Sequence, residues 1–218
     1  MKGMFITFEG TEGSGKSTHA LRLAARLREE GYEVVPTREP GGTPTGEAIR
    51  DILQHDSAGE LLFPETEVML FAASRAQLVR RVIRPALERG ACVVSDRFAD
   101  STAAYQGYGR GVDVEMIVAM NALAVGGVVP DLTILLDIDV ALGFQRIRER
   151  NHRTGQADDR FEREGTVFHQ RVREGYLRLA RRWPDRIRLL DSRGDPDGVA
   201  EEAWRMVAPV LRKREAGA

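Results

Sequence analysis

The sequence predicts an α/β fold of three layers, with a central parallel sheet of five strands flanked by helices on both faces. Two observations carry this. Five short segments are dense in apolar, β-prone residues, and stretches with apolar residues at helical spacing lie between them. Strands that are apolar along their length, rather than alternating, belong to parallel sheets covered on both sides.

The elements follow in order. Residues 4–9 (MFITFE) are nearly all apolar and form the first strand. After Lys16, the residues Ala20, Leu21, Leu23, Ala24 and Leu27 make one helical stripe, which Gly31 closes. Residues 32–37 (YEVVPT) are a weaker second strand. Pro64 opens a long helical pattern through Val68, Met69, Phe71, Ala72, Leu78, Val82 and Ile83, with Pro85 expected to kink or break it. Residues 91–96, 131–138 and 186–191 complete the strands. No repeat, low-complexity tract or linker interrupts the chain, so residues 1–218 read as one domain, with a frayed tail.

Composition narrows the function. The formal net charge of −1 favours neither nucleic acid nor an anionic membrane surface. No apolar stretch approaches the roughly 20 residues of a membrane helix. The lone Cys92 cannot form an internal disulfide, and a reduced cytoplasmic setting is expected. Of 32 basic residues only Lys2, Lys16 and Lys213 are lysines. A lysine kept mid-chain in so arginine-rich a sequence points to chemistry rather than charge alone.

That lysine sits in GTEGSGKST, where Gly10, Gly15, Lys16 and Ser17 fit G-x-x-x-x-G-K-[ST] between a strand and a helix. The glycines permit a tight turn, and the backbone N–H groups of Thr11, Glu12, Gly13, Ser14, Gly15, Lys16, Ser17 and Thr18 can then face phosphate oxygens. The helix dipole adds positive potential, Lys16 would reach the β- and γ-phosphates of ATP, and the Ser17 hydroxyl would ligate Mg²⁺. Asp96, at the end of the third strand, is the expected second metal acid. This is a P-loop NTPase pattern. The base-reading N-K-x-D of switch GTPases is absent, and the length favours a small-molecule kinase.

Transfer to an anionic acceptor needs cations at both phosphates. Positions 11–14 of the loop carry no arginine, whereas residues 145–164 offer Arg146, Arg148, Arg150, Arg153 and Arg160 around a polar break. Residues 146–165 are therefore expected to form a mobile lid that closes arginines over ATP. A solvated charged helix is the alternative for each of these arginines.

FEGTEGSGKST, TREPGGTPTGEAIR, LFAASRAQLV, SDRFADSTAAYQGYGRG and PDLTILLDI together resemble the bacterial thymidylate kinases, in order from about residue 4 to 165. The resemblance implies transfer of the ATP γ-phosphoryl group to dTMP, with Mg²⁺, by a homodimer. It implies that Arg50 and Arg97 grip the acceptor phosphate, that Phe71 stacks on thymine, that Arg75, Thr102 and Gln106 meet its polar edge, and that Ser101 is also among the substrate-binding residues. Tyr105 would exclude a 2′-hydroxyl, Glu12 would lie near the 3′-hydroxyl, and Glu39–Pro40 would be a cis peptide beside the acceptor. Arg148 and Arg153 are the expected catalytic lid arginines. From the residues alone Phe71 reads as core, Tyr105 as a half-buried tyrosine and Arg75 as a partner for some acid. Another mononucleotide kinase and a non-catalytic nucleotide-binding module remain the alternatives.

Overall fold

A computed structural model describes residues 3–55, 59–155 and 157–216. Its five strands, β1 (Phe5–Gly10), β2 (Val34–Arg38), β3 (Cys92–Asp96), β4 (Leu132–Asp137) and β5 (Ile187–Asp191), form one sheet in the order β2-β3-β1-β4-β5. Every pairing is parallel. β1, β3 and β4 are buried almost throughout, which is why their sequences do not alternate. β2 and β5 are the edges and are half exposed.

The helices are α1 (Lys16–Glu29), α2 (Pro44–His55), α3 (Pro64–Leu78), α4 (Arg84–Glu88), α5 (Ala99–Thr102), α6 (Val114–Val125), α7 (Val140–Thr154), α8 (Thr166–Arg182) and α9 (Pro196–Ala216). One face of the sheet is covered by α1 and α9 through Ala20, Leu23, Leu27, Val199, Ala203 and Val207. On the other face, Leu78, Val79 and Ile83 pack over β3, and Phe168, Val172 and Leu179 of α8 over β4 and β5.

The regular α-helix is interrupted just before Pro85, in line with the kink or break expected there. A π-helical turn at Val79–Ile83 joins α3 to α4, and this wider turn accommodates the N–H that Pro85 lacks. One expectation is corrected: the stripe on α3 is not wholly apolar. Met69 is 54% exposed, while Glu67 and Arg75 are buried on the inward face. The tail is helical to Ala216, and its last two residues lie outside the described ones.

Candidate functional site

The carboxyl ends of β1, β2 and β3 lie side by side, because Phe8 pairs with Asp96 and Asp96 with Arg38. The chain leaving β1 is the glycine-rich loop. Gly10, Gly13 and Gly15 all take positive φ there, and a Cβ on Gly13 would lie 2.1 Å from the Gly143 carbonyl oxygen of α7. Lys16 is buried. Its Nζ donates to the Thr11 carbonyl at 2.7 Å and lies 3.7 Å from the Glu12 carboxylate. Burial and the neighbouring Arg97 push its ammonium down to about 8. Ser17 donates to Oδ2 of Asp96, whose buried Oδ1 accepts no hydrogen bond among the described residues.

Beyond β3 the backbone turns sharply. Arg97 adopts φ 72°, an unusual conformation for a residue with a side chain. It is held by its own N–H to Phe8 O at 2.9 Å, by Ser95 Oγ to its carbonyl at 2.7 Å, and by Phe98 N–H to Glu9 Oε1 at 2.7 Å. The turn brings the Arg97 guanidinium to Glu12 at 2.5 Å and over the Tyr105 ring. Tyr105 donates to the other Glu12 oxygen at 2.9 Å. Burial pushes the Glu12 carboxyl up, but Arg97 and Lys16 outweigh it and hold it at about 2.

A cleft opens beside this pair, lined by Glu12, Pro40, Phe71, Arg97, Ser101, Tyr105 and Gln106. The Glu39–Pro40 peptide is cis. Arg50 donates to the Pro40 carbonyl at 2.9 Å. Burial and the nearby Arg38 lower its pKa, so Arg38, Arg50 and Arg97 form one crowd of positive charge.

Three of the expected substrate residues lie beneath this wall rather than on it. Arg75 is fully buried and donates to Glu39 at 2.5 and 2.8 Å, to Asn121 at 2.6 Å and to Thr102 at 3.1 Å. It ties α3 to the turn after β2, to α5 and to α6, and Glu39 and Thr102 are its partners. Arg148 and Arg153 are exposed and neither lines the cleft. Arg146 donates to the Ser192 carbonyl at 2.9 Å, fastening α7 to the turn after β5.

A family model for thymidylate kinase matches residues 8–203. The chain belongs to the thymidylate kinase family. It is 51% identical over 211 residues to a thymidylate kinase of Solidesulfovibrio magneticus, covering 95% of this chain and all of the relative. It is likewise 51% identical to one from Geobacter sulfurreducens, over 97% of this chain and 98% of that one. The crystal structure of thymidylate kinase from Ehrlichia chaffeensis superposes with a TM-score of 0.76 at 35% identity, covering 95% of this chain and 99% of that one.

In this member of the thymidylate kinase family, the cleft has three further walls that the sequence did not single out: Gln54, Asp159 and Phe161. The last two come from the lid segment. Arg160 donates from its backbone N–H to Gln54 O at 3.1 Å and from Nε to Leu53 O at 2.8 Å, docking the segment on the end of α2. Phe161 then sits edge-on to Tyr105 with centroids 5.9 Å apart, and 6.0 Å from Phe71. Asp159 accepts the N–H groups of Phe161 and Glu162, shaping that turn. His169 of α8 contacts the Phe161 carbonyl through Nε2 at 3.0 Å. An aromatic next to arginine in a polar break was the available signal, but only chain closure shows that it meets α2 and α3.

Proposed function

We propose that this chain transfers the γ-phosphoryl group of ATP to dTMP, giving dTDP and ADP. The observation that carries the reading is one continuous site. A phosphate-cradling loop meets, through the Glu12–Arg97 pair, a cleft walled by aromatic rings and a buried amide. The loop N–H groups and Lys16 bind the donor phosphates, and Arg97 and Arg50 bind the acceptor phosphate. An acceptor phosphate oxygen then attacks the γ-phosphorus as the bond to the β-phosphate oxygen breaks, and ADP leaves. The buried cations stabilise the charge spread over the transferring group without reorganising. Phe71 and Tyr105 hold the base and sugar, and Tyr105 leaves no room for a 2′-hydroxyl. The lid segment excludes water, and Arg148, Arg150 and Arg153 on it supply further positive charge.

The residues fit Mg²⁺. Ser17 and Asp96 present oxygen donors, Asp96 Oδ1 takes no hydrogen bond among the described residues, and this ion uses few protein ligands alongside waters and phosphates. When bound, Mg²⁺ neutralises phosphate charge. Exposed Phe63 and Met69 on or beside α3, with Met116 and Leu123 on α6, support a homodimer through these helices. Among the described residues no helix is long and apolar enough to cross a membrane, and a cytoplasmic location accords with the substrates.

The test is ADP release with a panel of mononucleotides. Turnover is expected with dTMP well above UMP, CMP and AMP, and equal rates with UMP would refute the assignment.

A further inference from the structure

Glu67 is 1% exposed on the inward face of α3, and none of the roles above uses it. Three side chains converge on its carboxylate. Gln106 Nε2 donates to Oε2 at 2.9 Å, Arg160 NH1 donates to Oε1 at 2.6 Å, and Arg110 lies 3.3–3.4 Å from both oxygens. Two guanidiniums thus balance a charge that would be costly to bury alone.

We propose that Glu67 sets acceptor-base specificity by fixing which end of the Gln106 amide faces the cleft. An ionised carboxylate only accepts hydrogen bonds, whereas a glutamine amide has one donor end and one acceptor end. The end beside Glu67 must therefore be the NH₂ group. Gln106 lines the cleft, and among the described residues its Oε1 accepts no hydrogen bond, so the cleft is offered an acceptor. A pyrimidine with N–H at position 3, as in thymine or uracil, supplies the matching donor. Cytosine presents a lone pair at that position, and two acceptors facing each other repel. Gln106 lies in a π-helical turn at Ala103–Gly109, which places the amide between α3 and the cleft.

The same carboxylate receives Arg160 from the lid segment, so base reading and lid docking share one anchor. Glu67 acts here as a positioning residue. Its role rests on the dTMP kinase reading of the cleft.

The test compares kcat/KM for dTMP and dCMP in the wild type, Glu67→Gln, Glu67→Asp, Gln106→Leu and the Glu67→Gln/Gln106→Leu double variant. A glutamine at 67 can pair with Gln106 in either sense. Glu67→Gln should therefore lower the dTMP to dCMP ratio by roughly ten- to a hundred-fold. Gln106→Leu should lower it similarly, and the double variant no further. Glu67→Asp, still an acceptor only, should keep most of the ratio. If Glu67→Gln slows both nucleotides in proportion, Glu67 is only a structural anchor and the proposal fails. Should Glu67→Gln not fold, an unchanged ratio in Gln106→Leu overturns the proposal equally. A wild type that does not prefer dTMP overturns the functional reading itself, an outcome separate from an unchanged ratio in the variants.

Discussion

Arg97 and Glu12 meet at 2.5 Å although 85 residues separate them, and Tyr105 donates to the free oxygen of the same carboxylate. This contact joins the phosphate loop to the cleft. It also sets a pH dependence. The Glu12 carboxyl lies at about 2 in the folded chain, below its ordinary value of 4.5. A depressed acid contributes stability that is fully present above pH 4.5 and is lost as pH falls towards 2. Glu12→Gln should be less stable than the wild type by about 3 kcal/mol at pH 7, since Arg97 loses its partner. Thermal melts should show that difference shrinking below pH 4.5, and a constant difference would refute the assignment.

Lys16 behaves in the opposite sense. Burial first, then Arg97, lowers its ammonium from 10.5 to about 8, so holding the charge in the site costs stability at neutral pH. Between pH 8 and 10.5 the unfolded chain binds more protons, and wild-type stability should rise through that window. Lys16→Ala should lack this rise, keep a melting temperature near that of the wild type, and lose about 10²–10³-fold in kcat. Comparable kcat in the variant would remove the lysine from the mechanism.

Tyr105 is 5% exposed and packs edge-on against Phe161, Phe168 and Tyr176. Tyr105→Ala should improve use of the ribose analogue relative to dTMP and cost about 3 kcal/mol of stability. Tyr105→Phe keeps the ring and loses only the hydroxyl bound to Glu12, so it should retain sugar discrimination. Kinetics with both sugars decide this, and an unchanged preference in Tyr105→Ala would end the steric account.

Met69 and Leu123 are 54% and 79% exposed on α3 and α6. Replacing both with aspartate should leave the fold intact and shift the sedimentation coefficient from dimer to monomer at micromolar concentration, since charges in an apolar interface are costly. A wild type that sediments as a monomer would refute the dimer.

Much of the site was legible because its residues are consecutive or sit at strand ends. The loop from Gly10 to Thr18 folds on itself, and Asp96 and Arg97 follow directly from the end of β3. Pro40, Phe71, Ser101, Tyr105 and Gln106 all lie on the cleft wall. Other residues could not be placed by local pattern. On α3, Arg75 does pair with an acid, but as a buried hub rather than on the surface, and Glu67 carried no local signal; their partners lie up to 93 residues away. Arg160 looked like one lid arginine among five, and only its docking on Leu53 and Gln54 distinguishes it.

By itself, the sequence determined the five-stranded parallel sheet, the phosphate loop and the chemical types around the cleft, because backbone propensity and apolar spacing act over a few residues. Only the tertiary structure decided that Arg75 braces the cleft from beneath, that Phe161 of the lid segment closes it, and that Glu67 orients Gln106. A buried charge or amide takes its role from the partner that satisfies it, and chain closure brings that partner from a distant element.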